Sequence, residues 1–267
     1  MAVSSSTLFH FTKSRSNLEK ILAERFKVTY CKETFKLGEM SSGNLYVPMI
    51  SFCDLPIGLI KDHISKYGNF AIGMTKEWGI KNQLNPVLYL EKNSAISRDF
   101  FEYLKQFGKI LDSVEKVALV KTGDNEKMLK ETIVGLKETL FTHRNLYTFI
   151  KNYEGELTRD NKKYPNYRFY DEREWRFVPP GEAGVNWGMS DDEYKKFRGS
   201  SKSKNFLEEP ILDFSADDIR YLIVKKDSDI PPLIRKIRSI DHLSKNPDQA
   251  DILITKIMTV DSIHKDH

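Results

Sequence analysis

Tyr167–Val178 reads YRFYDEREWRFV, and the alternation of its side chains governs how the rest of the chain is read. In a β-strand, successive side chains point to opposite faces. As a strand, the stretch would turn Arg173, Trp175 and Phe177 one way and Glu172, Glu174 and Arg176 the other. The aromatics suit a core. The opposite face then carries two carboxylates and a guanidinium on a rigid element, which is how a chemical site is kept in register. The plainer reading is a solvated strand whose acids and arginine form surface ion pairs of little energetic weight. Spacing alone leaves both readings open.

Working outward, Thr158–Asn166 reads as a turn or loop, and Gly181–Glu208 as a polar surface segment. Upstream, Thr7–Phe11 is a short strand containing His10, a residue that in such a place is usually a satisfied core histidine. Ser16 and Glu19 have capping-box spacing before the apolar face of Leu18, Ile21 and Leu22. Phe26–Tyr30 and Tyr46–Cys53 are strand candidates, the second with Pro48 favouring an edge or a strand start. Gly38–Asn44 between them reads as a loop. Asp54 and Pro56 open a helix through about Lys66, closed by Gly68 in a left-handed position. His63 on that helix reads as a surface or capping histidine. Phe70–Thr75 and Pro86–Leu90 read as strands around a short helix, Lys76–Lys81.

Ile96–Val120 and Asn125–Tyr153 look helical, with Met128, Ile133, Leu136, Leu140, Phe141 and Ile150 keeping a loose helical period. They form a helical insertion at about 96–155. Arg220–Lys226, Pro231–Ile240 and Ile252–Val260 read as strand, helix and strand. Strands and helices mix without a regular βαβ alternation, so the expected class is α+β, as a single domain over 1–267.

Composition narrows the setting. Of 267 residues, 40% are hydrophobic and 30% charged, as in ordinary globular domains. No apolar run approaches the ~20 residues of a membrane span, and MAVSSSTLFHFTKS lacks the apolar core of a signal peptide. Two cysteines, Cys31 and Cys53, make no disulfide framework. The expectation is a cytoplasmic protein without a membrane partner. A net charge of +4 and a pI near 8.8 permit a nucleic-acid partner without requiring one.

Three segments together carry a resemblance. LFHFTKSRSNLEKIL at Leu8–Leu22 and YVPMISFC at Tyr46–Cys53 resemble the opening and the Tyr-Val-Pro segment of DarT-type ADP-ribosyltransferases. Joined with CDLPIGLIKDH, YGNFAIGMTKEWG, NPVLYL and YDEREWRF, the pattern looks closer still to the AbiGi-type abortive-infection proteins of bacteria. The resemblance covers roughly residues 8–91 and 167–178.

What it implies is an ADP-ribosyltransferase-like split sheet with flanking helices, binding NAD as co-substrate in a cleft and needing no metal. His10 would hydrogen-bond a ribose hydroxyl and Thr12 would help hold the dinucleotide. Tyr46 or Tyr67 would cover the nicotinamide, and Ser51 falls in the same binding set. Glu172-Arg173-Glu174 resembles a Glu-x-Glu signature whose second acid, Glu174, lies closest to the chemistry, while Glu172 serves the acceptor. One departure stands out: where DarT-type enzymes carry an arginine after the Tyr-Val-Pro strand, this chain has Phe52-Cys53-Asp54-Leu55. Either Arg176 or Arg15 takes that role, the mechanism differs, or the chain is inactive.

Two functions follow from the resemblance. One is an NAD-dependent toxin or effector of phage defence that modifies nucleic acid (RNA or DNA) or protein and needs a neutralising antitoxin partner. The other is a non-catalytic antitoxin or sensor that keeps the fold. A metal-dependent nuclease is a third class, but His63, His143 and His242 show no ligand spacing.

Overall fold

The computed structural model describes residues 5–35, 43–118, 126–159, 161–179, 189–200 and 211–265. Strand β1 (Thr7–Thr12) leads into helix α1 (Arg15–Glu24), then β2 (Phe26–Lys27), β3 (Thr29–Phe35) and the long β4 (Gly43–Cys53). A 3-10 turn at Ile57–Leu59 precedes α2 (Lys61–Tyr67), followed by β5 (Phe70–Thr75) and α3 (Lys76–Lys81). Next come β6 (Asn85–Pro86), β7 (Leu88–Leu90), the helical pair α4 (Ala95–Ala118) and α5 (Glu126–Thr148), and β8 (Ile150–Asn152). The hairpin β9 (Glu154–Arg159) and β10 (Lys162–Arg168) leads to β11 (Glu174–Phe177) and α6 (Asp191–Arg198). The chain closes with β12 (Ile211–Leu212), β13 (Ile219–Val224), helices at Ile230–Ser239, Asp241–Ser244 and Pro247–Ile254, β14 (Ile257–Thr259) and a last helix, Val260–Lys265.

The main sheet runs β14-β13-β5-β1-β4-β11-β6, with β3 also on β4, and only the β13–β14 pair is parallel. Its seam lies between β1 and β4. On one side β1 is laddered to β5 from Thr7↔Thr75 to Thr12↔Phe70, but toward β4 the register holds at Phe9↔Cys53 alone. Two half-sheets therefore meet at one residue pair. Pro48 lies in the half of β4 laddered to β3, and β11 takes over from Ile50 onward. A residue without an N–H is tolerated where only one flank of the strand is paired.

Directly opposed residues in antiparallel strands share a face. Phe9, Cys53 and Glu174 thus form one row, whose face packs Leu55, Ile60, Ile64 and Ile223 beneath α2 and the last helix. His10, Phe52 and Trp175 turn to the other face, where Leu22, Phe26, Ile72 and Trp78 form the larger core with α1, α3 and the helices of 230–254. Burial there is complete for Leu8 and Phe52, each worth roughly 1.5–3 kcal/mol relative to exposure.

Several expectations are corrected. Strand β11 starts only at Glu174: Phe169–Glu172 is a 3-10 turn, and Arg173 sits at φ 45°. The Arg173 N–H donates to the Tyr170 carbonyl at 3.2 Å and closes the turn, so Glu172 reaches the site from the turn. Residues 158–166 fall mostly within the β9–β10 hairpin, whose ladder the sequence's Gly- and Pro-poor turn concealed. The cap of α1 is Ser14, accepting from the Asn17 N–H, rather than Ser16. The helix after Asp54 is broken into the 3-10 turn and α2, and Ile252–Ile254 closes a helix, leaving only 257–259 as strand. The helical insertion ends at Thr148, after which β8 pairs with β7. His63 is buried against Phe11 and Tyr67, not at the surface. The segment expected to be polar surface contains Met189, bridged to Tyr46, and α6; its residues 181–188 and 201–208 lie outside the described residues.

Candidate active site

The seam and the 3-10 turn bring one cluster together on the Phe9–Cys53–Glu174 face. Glu174 occupies the first position of β11, opposite Cys53, and its backbone N–H donates to the Tyr89 hydroxyl at 2.8 Å. All its carboxylate lone pairs are engaged. Oε1 accepts from Ser51 Oγ at 2.7 Å and Arg176 Nε at 2.6 Å, and Oε2 from Lys151 Nζ at 2.6 Å and Arg176 Nη2 at 3.2 Å. Lys151 also donates to Glu172 Oε2 at 2.8 Å, and the Tyr67 hydroxyl donates to Glu172 Oε1. Arg176 continues outward to Glu33 Oε1 at 2.9 Å and to the Thr148 carbonyl at 2.8 Å.

These groups are inside the protein: Glu172 and Glu174 are 3% and 4% exposed and Arg176 is 0% exposed. Charges in such a place must be paired. Burial works to raise the Glu174 pKa, but Arg176 and Lys151 outweigh it and hold the carboxyl well below its ordinary range. Burial likewise works against a charged Lys151, yet Glu172 and Glu174 carry its pKa well above the usual lysine value. Burial and the neighbouring Glu172 push the Tyr67 and Tyr167 phenols far up, so both remain donors. The set Glu33, Glu172 and Glu174 against Lys151 and Arg176 leaves one net negative charge.

His10 joins this cluster indirectly. Its Nδ1 lies 2.9 Å from the Ser51 carbonyl, which can only accept, so Nδ1 carries the proton and Nε2 keeps a lone pair. The imidazole fills the gap where the β1–β4 ladder stops, its ring against Phe26 and Phe52 on the opposite face from Glu174. Burial lowers its pKa against the pull of that carbonyl. One residue, Ser51, therefore contacts both: its carbonyl holds His10 and its hydroxyl holds Glu174.

Of the other expected residues, Thr12 is buried at the end of β1, opposite Phe70. Tyr46 is drawn away from the cluster. Its ring stacks on Tyr194 of α6 at 3.8 Å between centroids, and its hydroxyl donates to Asp191 at 3.1 Å. Tyr67 is in the cluster, but as a hydrogen-bond donor to Glu172. Arg176 is committed to Glu174 and Glu33, so it is a buried partner and not an exposed anion grip. Arg15 pairs with Glu19 and Asp229. Sequence reasoning missed Lys151 and Glu33, which lie on polar strands with no motif around them. Among the described residues no group of three His, Cys, Asp or Glu is placed to hold a metal ion, and no helix is long and apolar enough to cross a membrane.

The comparisons with known proteins agree on one lineage. The family model described as "Putative abortive phage resistance protein AbiGi, antitoxin" matches residues 24–225, three quarters of the chain and all of the acidic cluster. This chain belongs to the AbiGi family. A curated member, "Abortive phage resistance protein AbiGi" of Lactococcus lactis subsp. cremoris, is 27% identical over 237 residues, covering 83% of this chain and 89% of that protein. No solved structure matches. The likeness to DarT-type enzymes rests on the quoted residues alone.

Proposed function

We propose that this AbiGi-family chain acts in phage resistance as an NAD-directed ADP-ribosyltransferase, with Glu174 as the catalytic carboxylate. The observation that carries the reading is the Ser51 bridge, which ties an ionised, buried Glu174 to a neutral His10 at the seam of a split sheet. Breaking the nicotinamide–ribose bond develops oxocarbenium-like positive charge. A carboxylate fixed in a low-dielectric setting stabilises such charge without reorganising, and the residual negative charge of the cluster has the right sign. His10, on the opposite face, serves this site through Ser51: its Nδ1–H holds the Ser51 carbonyl and so fixes the residue whose hydroxyl positions Glu174. Nicotinamide leaves with the electron pair of the broken bond, and the acceptor nucleophile forms the new bond to C1 of the ribose and releases its proton.

Nucleic acid is the acceptor class the surroundings favour. Beside Glu172, Lys66 lies 4.9 Å from the Tyr167 ring centroid and 5.9 Å from that of Tyr164, and Arg159 lies 4.9 Å from that of Tyr67. Lys162, Lys163 and Arg168 are exposed on the same hairpin. Aromatic faces interleaved with cations suit stacked bases and phosphates.

A second reading is the non-catalytic antitoxin of the family description, partnered with a toxin. It is favoured by one feature: every acceptor position of Glu174 is already filled by a protein donor. Incubating the purified protein with labelled NAD and, separately, RNA, single-stranded DNA or cell protein decides between them. Label on a nucleic acid, lost in Glu174→Gln and His10→Ala, supports the transferase. Saturable NAD binding, or none, without turnover in the presence of every acceptor supports the antitoxin.

A further inference from the structure

A pocket on the larger core shares no lining residue with the acidic cluster. Its floor is apolar, made by Leu22, Phe214, Leu243 and Leu253, and Arg25 and His242 stand at its rim; the cavity measures about 220 Å³. That is below the ~300 Å³ at which pockets for drug-sized ligands begin. It suits one ring with one charged substituent.

Arg25 is the unusual residue here. It ends α1 at φ 71° and ψ −179°, a region that only glycine enters without strain, at a cost of about 1–3 kcal/mol for other residues. The arginine that occupies this position brings a guanidinium to the edge of the pocket. That group is held from several sides. Nε donates to Asp213 Oδ1 at 2.5 Å, Nη1 to the Leu22 carbonyl at 3.1 Å and to His242 Nε2 at 2.9 Å, and the group lies 4.8 Å from the Phe214 ring centroid. Among the described residues Nη2 makes no hydrogen bond.

His242 is fixed by the same contact. Arginine only donates, so His242 Nε2 accepts and the ring is neutral with its proton on Nδ1. Burial and the arginine charge together lower its pKa. The carboxylate that balances Arg25, Asp213, has a side chain 81% exposed, so it is readily exchanged for another anion. The amides of Asn246 and Gln249 complete the rim with further donors.

We infer that this pocket is a ligand site, separate from the acidic cluster, for a small organic monoanion with an apolar ring. The ring lies on Phe214 and the leucines, and the anion meets Arg25 Nη2 and the rim amides. The site gives the protein a small-molecule input independent of NAD chemistry, so the inference does not rest on the transferase reading.

Benzoate is a suitable probe, with benzyl alcohol as its uncharged counterpart, titrated into the full-length protein and followed by the arginine Nε–H and side-chain amide NMR signals. The expected result is saturable shifts at Arg25, Asn246 and Gln249 with benzoate, at least tenfold weaker with benzyl alcohol. They should vanish in Arg25→Gly, which removes the guanidinium and relaxes the backbone. Asn246→Trp, an exposed change that blocks the mouth, serves if Arg25→Gly does not fold. No saturable shift by 20-fold molar excess at millimolar protein (~10⁻² M, weaker than ordinary specific binding), shifts that survive in the folded variants, or equal binding of both probes would overturn the inference.

Discussion

Ser51 and Glu174 are bonded on the diagonal. The register sets Glu174 opposite Cys53 and Ser51 opposite Arg176, yet Ser51 Oγ lies 2.7 Å from Glu174 Oε1. Diagonal neighbours on one sheet face are within reach of each other's side chains, and here the reach places a hydroxyl on a buried carboxylate.

Ser51→Ala removes that donor and leaves an acceptor position of Glu174 buried and empty. Leaving such a group unsatisfied costs about 1–3 kcal/mol. Urea unfolding should register the loss, and Ser51→Thr, which keeps the hydroxyl and suits a strand, should recover most of it. An alanine variant as stable as the parent would mean that the bond carries no weight.

Arg176→Met removes the principal counter-charge of Glu174 at a site with no solvent exposure. Breaking a buried pair from one side costs about 3–5 kcal/mol, whereas removing both charges is often close to neutral. The double variant Glu174→Gln/Arg176→Met should therefore be more stable than Arg176→Met alone in chemical denaturation. Additive losses would count against a coupled pair.

Glu174 and His10, both at the seam, act on the acid side of the stability curve with one sign. The folded-state pKa of Glu174 is depressed, so its contribution is complete above the unfolded value near ~4.3 and is lost as pH falls through the folded value. His10 is also depressed, so the folded state binds fewer protons than the unfolded chain below about pH 6.5, and stability declines from there downward. Lys151 is raised, so its contribution is complete below about pH 10.4 and is lost only as pH rises beyond, through the folded value. His242 shifts in the same direction as His10 and remains in the variant. Subtracting the pH profile of His10→Gln from that of the parent should isolate a component confined to the acid side of ~6.5. A difference that is flat with pH would remove the neutral-histidine assignment.

Gly68→Ala tests the turn that precedes β5. At φ +127° any side chain is strained, and a Cβ there would lie 2.2 Å from the Thr12 carbonyl oxygen, a backbone atom that cannot swing aside. The expected loss is more than ~1 kcal/mol, seen as a lower melting temperature. A neutral outcome would mean that the ends of β1 and α2 shift freely.

Much of this arrangement was legible because it is local. The strands 7–12, 46–53 and 70–75 announce themselves by apolar and β-branched runs, and Gly68 marks its helix end by its chemistry. Glu174 and Arg176 could be assigned to one face from a two-residue period. What could not be read was set by distance along the chain. Lys151 meets Glu174 across 23 residues, and Glu33 meets Arg176 across 143. A lysine on the strand IKN looks like any solvated lysine until folding buries it. Tyr46 illustrates the converse: an aromatic beside a motif is captured by another aromatic, Tyr194, which sequence order places far away.

Lys151 gives the sharpest test of how the acid pair is built. Its ammonium is bonded to both Glu172 and Glu174, at 2.8 and 2.6 Å. Lys151→Met keeps the aliphatic stem but removes the charge, leaving two carboxylates adjacent in a buried setting. Like charges so placed do not both remain ionised, and the apparent pKa of the pair rises. Carboxyl ¹³C titration should then find one proton taken up well above the range of the parent protein. Lys151→Arg, which retains the charge, should restore the parent titration even if packing suffers. Under the transferase reading the same proton removes negative charge beside the ribose, so turnover should fall in Lys151→Met and recover as pH is raised. A merely structural lysine predicts lower stability with an unmoved carboxyl titration, and that outcome would detach Lys151 from the chemistry.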